Sequence, residues 1–212
     1  MDDPRPARAE DLPAIRTVCA LAYAEDPLMA WVLPVRSTRE DACAAWLGPA
    51  LERHLAVGHV DVLTAGAVGA PAGDVDEVVA VAAWRPRAAD GAPEPPLRLP
   101  RPGGVLRALV GPSRADEVLS ALAATGAHAP ARPGAYLNYL AVHPAYQRRG
   151  LGGALLRHGL RALAGTPWRG TPWLATSDPA NVPFYARHGF APAGAFTLGS
   201  DGPRLTVMHG RG

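Results

Sequence analysis

The residues with the clearest chemical use form a short loop between a strand pattern and a helix pattern. The loop reads Gln147-Arg148-Arg149-Gly150-Leu151-Gly152-Gly153-Ala154. A helix N-terminus leaves its first N–H groups unpaired and carries the positive end of the helix dipole. Glycines let a ligand approach those groups because no Cβ stands in the way. We therefore predict that residues 147–154 form an anion cradle for phosphate or diphosphate, with tight packing as the alternative use of the glycines.

The charge distribution around the anion cradle favours the ligand-binding interpretation. The chain has no carboxylate between Glu117 and Asp178. Six arginines lie in the same interval: Arg132, Arg148, Arg149, Arg157, Arg161 and Arg169. A Walker-type loop needs a lysine, and all 21 basic residues are arginines, so that loop is excluded. A dinucleotide fingerprint fits poorly, because Leu155 stands in place of its third glycine and no acid for the ribose precedes Asp178.

The elements on either side of the anion cradle are a buried strand and an amphipathic helix. Residues 136–143 are aromatic, branched and aliphatic with almost no charge, which is typical of a strand, and Pro144 ends it. Beyond the glycines, Leu156, Leu160 and Leu163 follow the i, i+4, i+7 spacing of a helix face.

Two motifs in this order resemble the GNAT superfamily of N-acetyltransferases. Residues 147–154 are similar to its acyl-CoA diphosphate loop, Q/R-x-x-G-x-G/A, and they follow an apolar strand that ends in Val-His-Pro. Residues 176–190 are similar to its second signature, with an asparagine, Phe-Tyr and Gly-Phe in matching order. Within the superfamily, residues 136–193 look most like puromycin N-acetyltransferase and similar actinobacterial enzymes.

The resemblance implies a fold and a set of cofactor contacts. The fold is α/β, with a mixed, largely antiparallel sheet, helices on both faces and a splayed pair of central strands that admits the pantetheine arm. Backbone groups of Leu140 and Val142 would hold that arm, and Asn181 would contact it, with a helix-capping asparagine as the alternative. The whole anion cradle would hold the diphosphate of acetyl-CoA. Tyr185, four residues after Asn181, occupies the general-acid position, with a packing tyrosine as the alternative.

The acceptor side and the general base are less well defined. The candidates for contact with an amine substrate are Asp26, Trp31, Trp84 and Tyr139. The alternative role for Asp26 is that of an acid in a turn that ends a helix. The alternative role for Trp84 is packing in the core. The central strand carries no carboxylate, so the base is Asp26, Glu77, a relay of waters, or none if the amine has a lowered pKa. His143 is a weaker candidate for the base, because it precedes a proline in a position that is commonly structural.

Composition points to one domain over residues 1–212 that needs no disulfide or metal for its core. The net charge of +2 and the lack of basic runs argue against nucleic acid. No leader pattern or membrane-length apolar run is present, so we expect a cytoplasmic bacterial protein, monomeric or homodimeric. Cys19 and Cys43 are predicted to be small buried hydrophobic residues and not nucleophiles.

The remaining patterns predict the rest of the fold. Strands are expected near residues 5–8, 60–65, 78–84, 171–176, 190–198 and 204–209. Helices are expected at 10–24, 38–56, 105–125 with a break at Gly111-Pro112, and 181–188, with Ser37 as a cap of the second helix and Ser113 as the cap after the break. The segment between the second and third strands is expected to be a hairpin loop, and the proline-rich residues 86–102 a mobile loop.

From these features we expect direct acetyl transfer from acetyl-CoA to the amine of a small molecule, such as an aminonucleoside or another amine-bearing antibiotic or metabolite. A peptide or protein amine is the second substrate class. A non-catalytic module that binds acyl-CoA or sequesters an antibiotic is the alternative outside enzymes.

Overall fold

A computed structural model describes residues 3–69, 76–85, 96–166 and 170–211. The strands in these ranges are β1 Arg5–Pro6, β2 His59–Thr64, β3 Val78–Arg85, β4 Pro133–Val142, β5 Thr171–Thr176, β6 Phe190–Thr197 and β7 Arg204–Gly210. The α-helices are α1 Leu12–Tyr23, α2 Pro27–Val32, α3 Arg39–Val57, α4 Pro102–Val110, α5 Pro112–Ala123, α6 Leu151–Ala164 and α7 Val182–Arg187.

The described strands form one sheet in the order β1-β2-β3-β4-β5-β7-β6. The pair β4–β5 is parallel, and the other five pairs are antiparallel. The predicted fold class is confirmed: the sheet is mixed and largely antiparallel, and β4, the strand before the anion cradle, lies at its centre.

Strand β3 is buried from Val78 to Trp84 because helices cover both faces of the sheet. Val81 and Ala83 pack into a core with side chains of α1 and α3, whereas Ala82 and Trp84 pack with leucines of α6. A strand enclosed on both faces has a continuous apolar sequence instead of alternation, as the Val-Val-Ala-Val-Ala-Ala-Trp run of β3 shows.

Two features of the helices differ from expectation. The predicted turn after α1 contains α2, and Asp26 caps this helix by accepting a hydrogen bond from the Leu28 amide at 2.8 Å. The expected caps Ser37 and Ser113 are wrong. Thr38 and Gly111 occupy the N-cap positions of α3 and α5, and neither makes a side-chain cap bond. A 3-10 turn before α3 and the proline at the start of α5 set these helix ends instead.

The predicted β2–β3 hairpin is confirmed by antiparallel pairing from His59↔Trp84 to Thr64↔Val78. Part of its loop, residues 70–75, lies outside the described residues. So do residues 86–95 of the proline-rich segment and residues 167–169, which include Arg169. In the parts of the chain that the structure covers, no helix combines the length and apolar character needed to cross a bilayer.

Candidate acyl-transfer site

Strands β4 and β5 separate after a short paired stretch. They are in register at Pro133↔Thr171 and Tyr136↔Trp173, and no further pair follows, although β4 runs to Val142 and β5 to Thr176. At the paired end, a Cβ on Gly134 would lie 2.7 Å from the Gly170 carbonyl oxygen, so the close approach requires glycine. The result is a crevice between β4 and β5 that is closed at one end and opens toward the anion cradle, as the splayed-strand expectation requires.

The two backbone positions predicted to hold pantetheine have partners within the chain. The Leu140 amide donates to the Tyr23 hydroxyl at 2.8 Å, and the Val142 carbonyl accepts from the Gln147 side chain at 3.1 Å. Both partners are side chains instead of a neighbouring strand. These groups therefore mark the unpaired edge of β4, where an extended ligand could exchange for a side chain.

The anion cradle presents unpaired amides at the N-terminus of α6. Gly150 is the N-cap with φ +81°, and Arg148 also has a positive φ of +62°. The first helical hydrogen bond of α6 runs from the Ala154 amide to the Gly150 carbonyl at 3.0 Å. The amides of residues 151–153 therefore precede the helical bonding pattern and lack helical acceptors. Positive φ values in such a loop turn successive N–H groups toward one concave side, which suits an anion.

The glycines of the anion cradle serve packing more than the sequence indicates. A Cβ on Gly153 would lie 2.5 Å from Nε2 of His188, and one on Gly152 would reach Phe184 at 3.5 Å. Both positions face α7, and only Gly150 is needed for its backbone angle. Gly152 and Gly153 therefore also let α7 pack closely on α6, which is the packing use that the sequence offered as the alternative, and their contact with a ligand stays a prediction.

Arginines that have no carboxylate partner in the described ranges surround the anion cradle. Arg148 and Arg149 are exposed, and Arg149 lies over the Tyr146 ring with its guanidinium carbon 5.2 Å from the ring centre. Among the described residues, no carboxylate lies within 4 Å of either guanidinium or of Arg157 on α6. Positive charge near the free amides is therefore left for a ligand to neutralise.

A cavity of about 440 Å³ continues from the crevice toward α3 and α5. Its crevice side is lined by β4 residues 136–140, by β5 and by Tyr185, and its far side by apolar residues of α3 and α5 such as Trp46 and Leu122. Of the residues that the structure describes, two charged side chains line it, Asp26 and Arg85. The cavity has the size of a small-molecule site and is mostly apolar with a few polar groups.

Asp26 presents a partly buried carboxylate to this cavity. Its Oδ1 accepts from the Leu28 amide at 2.8 Å and from the Ser177 hydroxyl at 2.6 Å. Burial raises the pKa of Asp26 above its usual value, and the hydrogen bonds from Ser177 and the α2 backbone oppose this effect. The two interpretations of Asp26 are compatible, because the same carboxylate caps α2 and faces the cavity.

Tyr185 lies on α7 with its ring packed edge-on against Phe184 and Phe190, and it lines the cavity. Burial raises the pKa of Tyr185 well above its usual range, and Tyr136 and Asp26 act in the same direction. Its hydroxyl therefore stays protonated and able to donate at neutral and alkaline pH. Asn181 also lines the cavity. Its side chain makes no hydrogen bond to the N-terminus of α7, so Asn181 does not act as a side-chain cap of that helix.

Of the other three predicted acceptor contacts, the structure places one at the cavity. Tyr139 lines it. Trp84 does not: it is fully buried on the opposite face of the sheet, against Gly159 of α6. Trp31 does not line the cavity either, and its indole donates to Asp201 at 3.0 Å. The predictions for both tryptophans are corrected, since a bulky residue near a strand or helix end does not reveal which face it occupies.

Sequence reasoning missed several cavity residues, namely Tyr23, Arg85, Tyr136, Trp173 and Ser177. Tyr23 ends α1, and Arg85 ends β3 in register with Tyr136. Only the pairing of distant strands brings them together, and no local motif signals this. Glu77, the other predicted base, is exposed and does not line the cavity.

The two cysteines are small buried side chains, as expected. Burial raises the pKa of both thiols, that of Cys43 to about 11. Neither lines the cavity, so the structure offers no thiolate nucleophile there.

Comparison with known proteins agrees with this geometry. Residues 114–192, which include the anion cradle and α7, match the acetyltransferase (GNAT) domain family. The fold is similar to a protein described as histone acetyltransferase HPA2 and related acetyltransferase from Corynebacterium glutamicum, with 22% identity, a TM-score of 0.65 and coverage of 99% of this chain and 96% of that one. It is also similar to a ribosomal-protein-alanine N-acetyltransferase from Brucella melitensis, with 18% identity, a TM-score of 0.54 and 97% coverage of each chain.

A third similar structure is the NatC complex bound to Gag peptide and CoA, with 11% identity, a TM-score of 0.52 and coverage of 99% of this chain and 98% of that one. At these identities the structural likeness establishes the fold, which is the GNAT fold. The domain match supports an acetyl-transferring enzyme, and GNAT enzymes use acetyl-CoA.

Proposed function

We propose that this protein transfers the acetyl group of acetyl-CoA directly to an amine of a small molecule. The observation that carries the proposal is the continuity of three parts: the free amides of the anion cradle, the open crevice between β4 and β5, and a cavity that holds both Asp26 and Tyr185. An extended thioester cosubstrate and an amine could meet in such a space.

The chain's own groups suggest how acetyl-CoA is held. The amides of residues 151–153 and the guanidinium groups of Arg148 and Arg149 would bind the diphosphate, because an anion satisfies the unpaired N–H groups and the helix dipole together. The edge of β4 at Leu140 and Val142, with Asn181 opposite, would hold the pantetheine arm. Acetyl-CoA supplies the acetyl thioester.

Asp26 and Tyr185 would manage the two protons of the reaction. An alkyl amine is mostly protonated at neutral pH, since its pKa is near ~10, and it must become neutral to attack. The Asp26 carboxylate would hold the ammonium and accept its proton, directly or through water. The neutral amine nitrogen then bonds to the acetyl carbon as the carbon–sulfur bond breaks, and Tyr185 would protonate the departing thiolate. The second proton of the attacking nitrogen would be released as the amide forms, and Tyr185 would be reprotonated from solvent.

The shape of the cavity supports a small acceptor. Apolar side chains of α3 and α5 enclose the side facing away from the crevice, and a volume of about 440 Å³ suits a metabolite or an antibiotic. An aminonucleoside or a similar amine-bearing antibiotic fits this size, and the resemblance of residues 136–193 to puromycin N-acetyltransferase-like enzymes favours that class. The second candidate is a peptide or protein amine, as the names of two similar structures suggest.

We further propose that residues 1–212 act as one catalytic domain in the bacterial cytoplasm, as a monomer or homodimer. Support for one domain comes from the sheet, in which strands from both halves of the chain are neighbours.

The test is to incubate the protein with acetyl-CoA and a panel of amines and to follow free thiol. Thiol release that depends on the amine, with the acetylated amine identified by mass, supports the proposal. Saturable binding of acetyl-CoA without turnover of any small or peptide amine would instead favour a binding module. Turnover limited to peptide amines would favour the second substrate class.

A further inference from the structure

Asp26 and Arg85, the two charged side chains of the described residues that line the cavity, are connected to different positions along β5. Asp26 is hydrogen-bonded to Ser177, which directly follows β5. Arg85 pairs in register with Tyr136, whose ring packs against Trp173 at 4.4 Å between centroids. Trp173 and Ser177 are four residues apart along the chain, which corresponds to about 13 Å at ~3.3 Å per strand residue.

Arg85 is exposed, and within the described ranges it makes no ion pair. Its guanidinium carbon lies 4.9 Å from the centre of the Tyr136 ring, and this stacking orients the side chain. Among the described residues, no carboxylate lies within 4 Å of it, Asp26 included. The cavity therefore contains a carboxylate and a guanidinium that do not neutralise each other.

We propose that the acceptor amine also carries an anionic group, a carboxylate or a phosphate, which Arg85 binds. This inference rests on the proposed function, because it places the amine near Asp26 and Tyr185. The guanidinium offers a planar fork that fits either anion with two hydrogen bonds. An acceptor with both charges would satisfy both charged side chains at once, whereas a simple amine leaves Arg85 unpaired.

The separation of the two positions sets the size of the acceptor. Because the two anchoring positions along β5 are about 13 Å apart, at ~3.3 Å per residue, the acceptor needs a spacer between its amine nitrogen and its anionic group. An α-amino acid whose own α-amine reacts has no such spacer. An ω-amino acid of medium length, or a compound with a similar spacer, provides one.

The experiment compares matched acceptors on wild-type protein and two variants. The probes are ω-amino acids of graded length, their carboxamides, and the corresponding ω-aminoalkyl phosphates, with thiol release giving kcat/KM for each. The test variant is Arg85→Gln, which removes the charge but keeps a polar side chain. The control is Arg114→Gln, since Arg114 stacks on Trp31 at 4.4 Å in the same way but does not line the cavity.

We expect wild type to prefer at least one anionic acceptor over its amide by roughly tenfold to 150-fold in kcat/KM, the range for a charged hydrogen bond. Arg85→Gln should lower kcat/KM for the anionic acceptor far more than for its amide and so erase that preference, whereas Arg114→Gln should keep it. The phosphate probes show which anion is preferred. Arg85→Lys should retain part of the preference, which guards against a folding defect in the glutamine variant.

Equal kcat/KM for the carboxylic acids, the phosphates and the carboxamides at every length in wild type would overturn the inference while leaving the proposed function intact. Persistence of the preference in Arg85→Gln would also overturn it. No turnover of any acceptor, charged or neutral, in the full amine panel would mark failure of the proposed function itself, so the two failures are distinguishable.

Discussion

Replacing Asp26 with asparagine removes a charge at the cavity while keeping the local structure. Asparagine is as good an N-cap as aspartate, so its Oδ1 can still accept from the Leu28 amide and the Ser177 hydroxyl. The variant therefore separates the two uses of this carboxylate. We expect α2 to remain capped and the acceptor amine to lose its counter-charge.

The size of the effect follows from the kind of bond that is lost. A hydrogen bond to a charged partner contributes about 1.5–3 kcal/mol, which corresponds to a loss of roughly tenfold to 150-fold in kcat/KM for the acceptor amine. The affinity for acetyl-CoA should change little, because the anion cradle lies at the N-terminus of α6 and includes no part of α2. Thiol-release kinetics at varied amine, together with calorimetry of acetyl-CoA binding, measure both quantities.

Asp26→Asn should lower activity, but as the pH rises it should raise thermal stability relative to wild type. Burial raises the pKa of Asp26, so ionisation costs more in the folded state than in the unfolded chain. The stabilising contribution of such a group is complete below the unfolded pKa of about 3.9 and is lost as pH rises through the folded pKa. Asp26→Asn avoids this loss, so its Tm relative to wild type should rise as the pH is increased from about 4 to 7.

A variant with unchanged kcat/KM and a lower Tm at neutral pH would refute this reasoning. It would mean that the Asp26 carboxylate serves only to hold α2 and Ser177. Ser177→Ala is the companion variant, because it removes one donor to Asp26 but keeps the charge. We expect it to cost less activity than Asp26→Asn.

Two further predictions concern Tyr185 and Gly159. Tyr185→Phe should lower kcat by roughly 10²–10⁴ and leave acetyl-CoA affinity nearly unchanged, and a kcat equal to wild type across pH would remove the acid role. Gly159→Ala would drive a methyl group into the fully buried Trp84 indole and should cost about 1–3 kcal/mol in thermal unfolding. In contrast, Gly104→Ala on α4 meets nothing within 4 Å and should stabilise by up to about 1 kcal/mol, so similar shifts for both alanines would contradict this account of packing.

The sequence contained enough local information to predict the central part of the fold. A buried strand, a glycine-rich turn and an amphipathic helix have different periods and different end signals, and β4, the anion cradle and α6 follow them closely. The boundaries of β5 agree with the prediction residue for residue. Tyr185 and Asn181 were found because they lie in a short motif with fixed spacing.

The acceptor side was less predictable because distant segments build it. Arg85 and Tyr23 reach the cavity only through the pairing of β3 with β4 and the packing of α1 on the sheet. A tryptophan such as Trp84 gives the same hydrophobic signal on either face of a buried strand. Only the β3 register, which shifts between Ala83 and Trp84, determines its side, and no residue pattern reveals that shift.

A crystal structure of the protein with acetyl-CoA tests the central claim most directly. We predict that diphosphate oxygens lie within about 3 Å of the amide nitrogens of Leu151, Gly152 and Gly153, with the pantetheine arm between β4 and β5 and the thioester near Tyr185. Acetyl-CoA bound away from α6, or a complex in which the crevice between β4 and β5 stays free of ligand, would contradict the account.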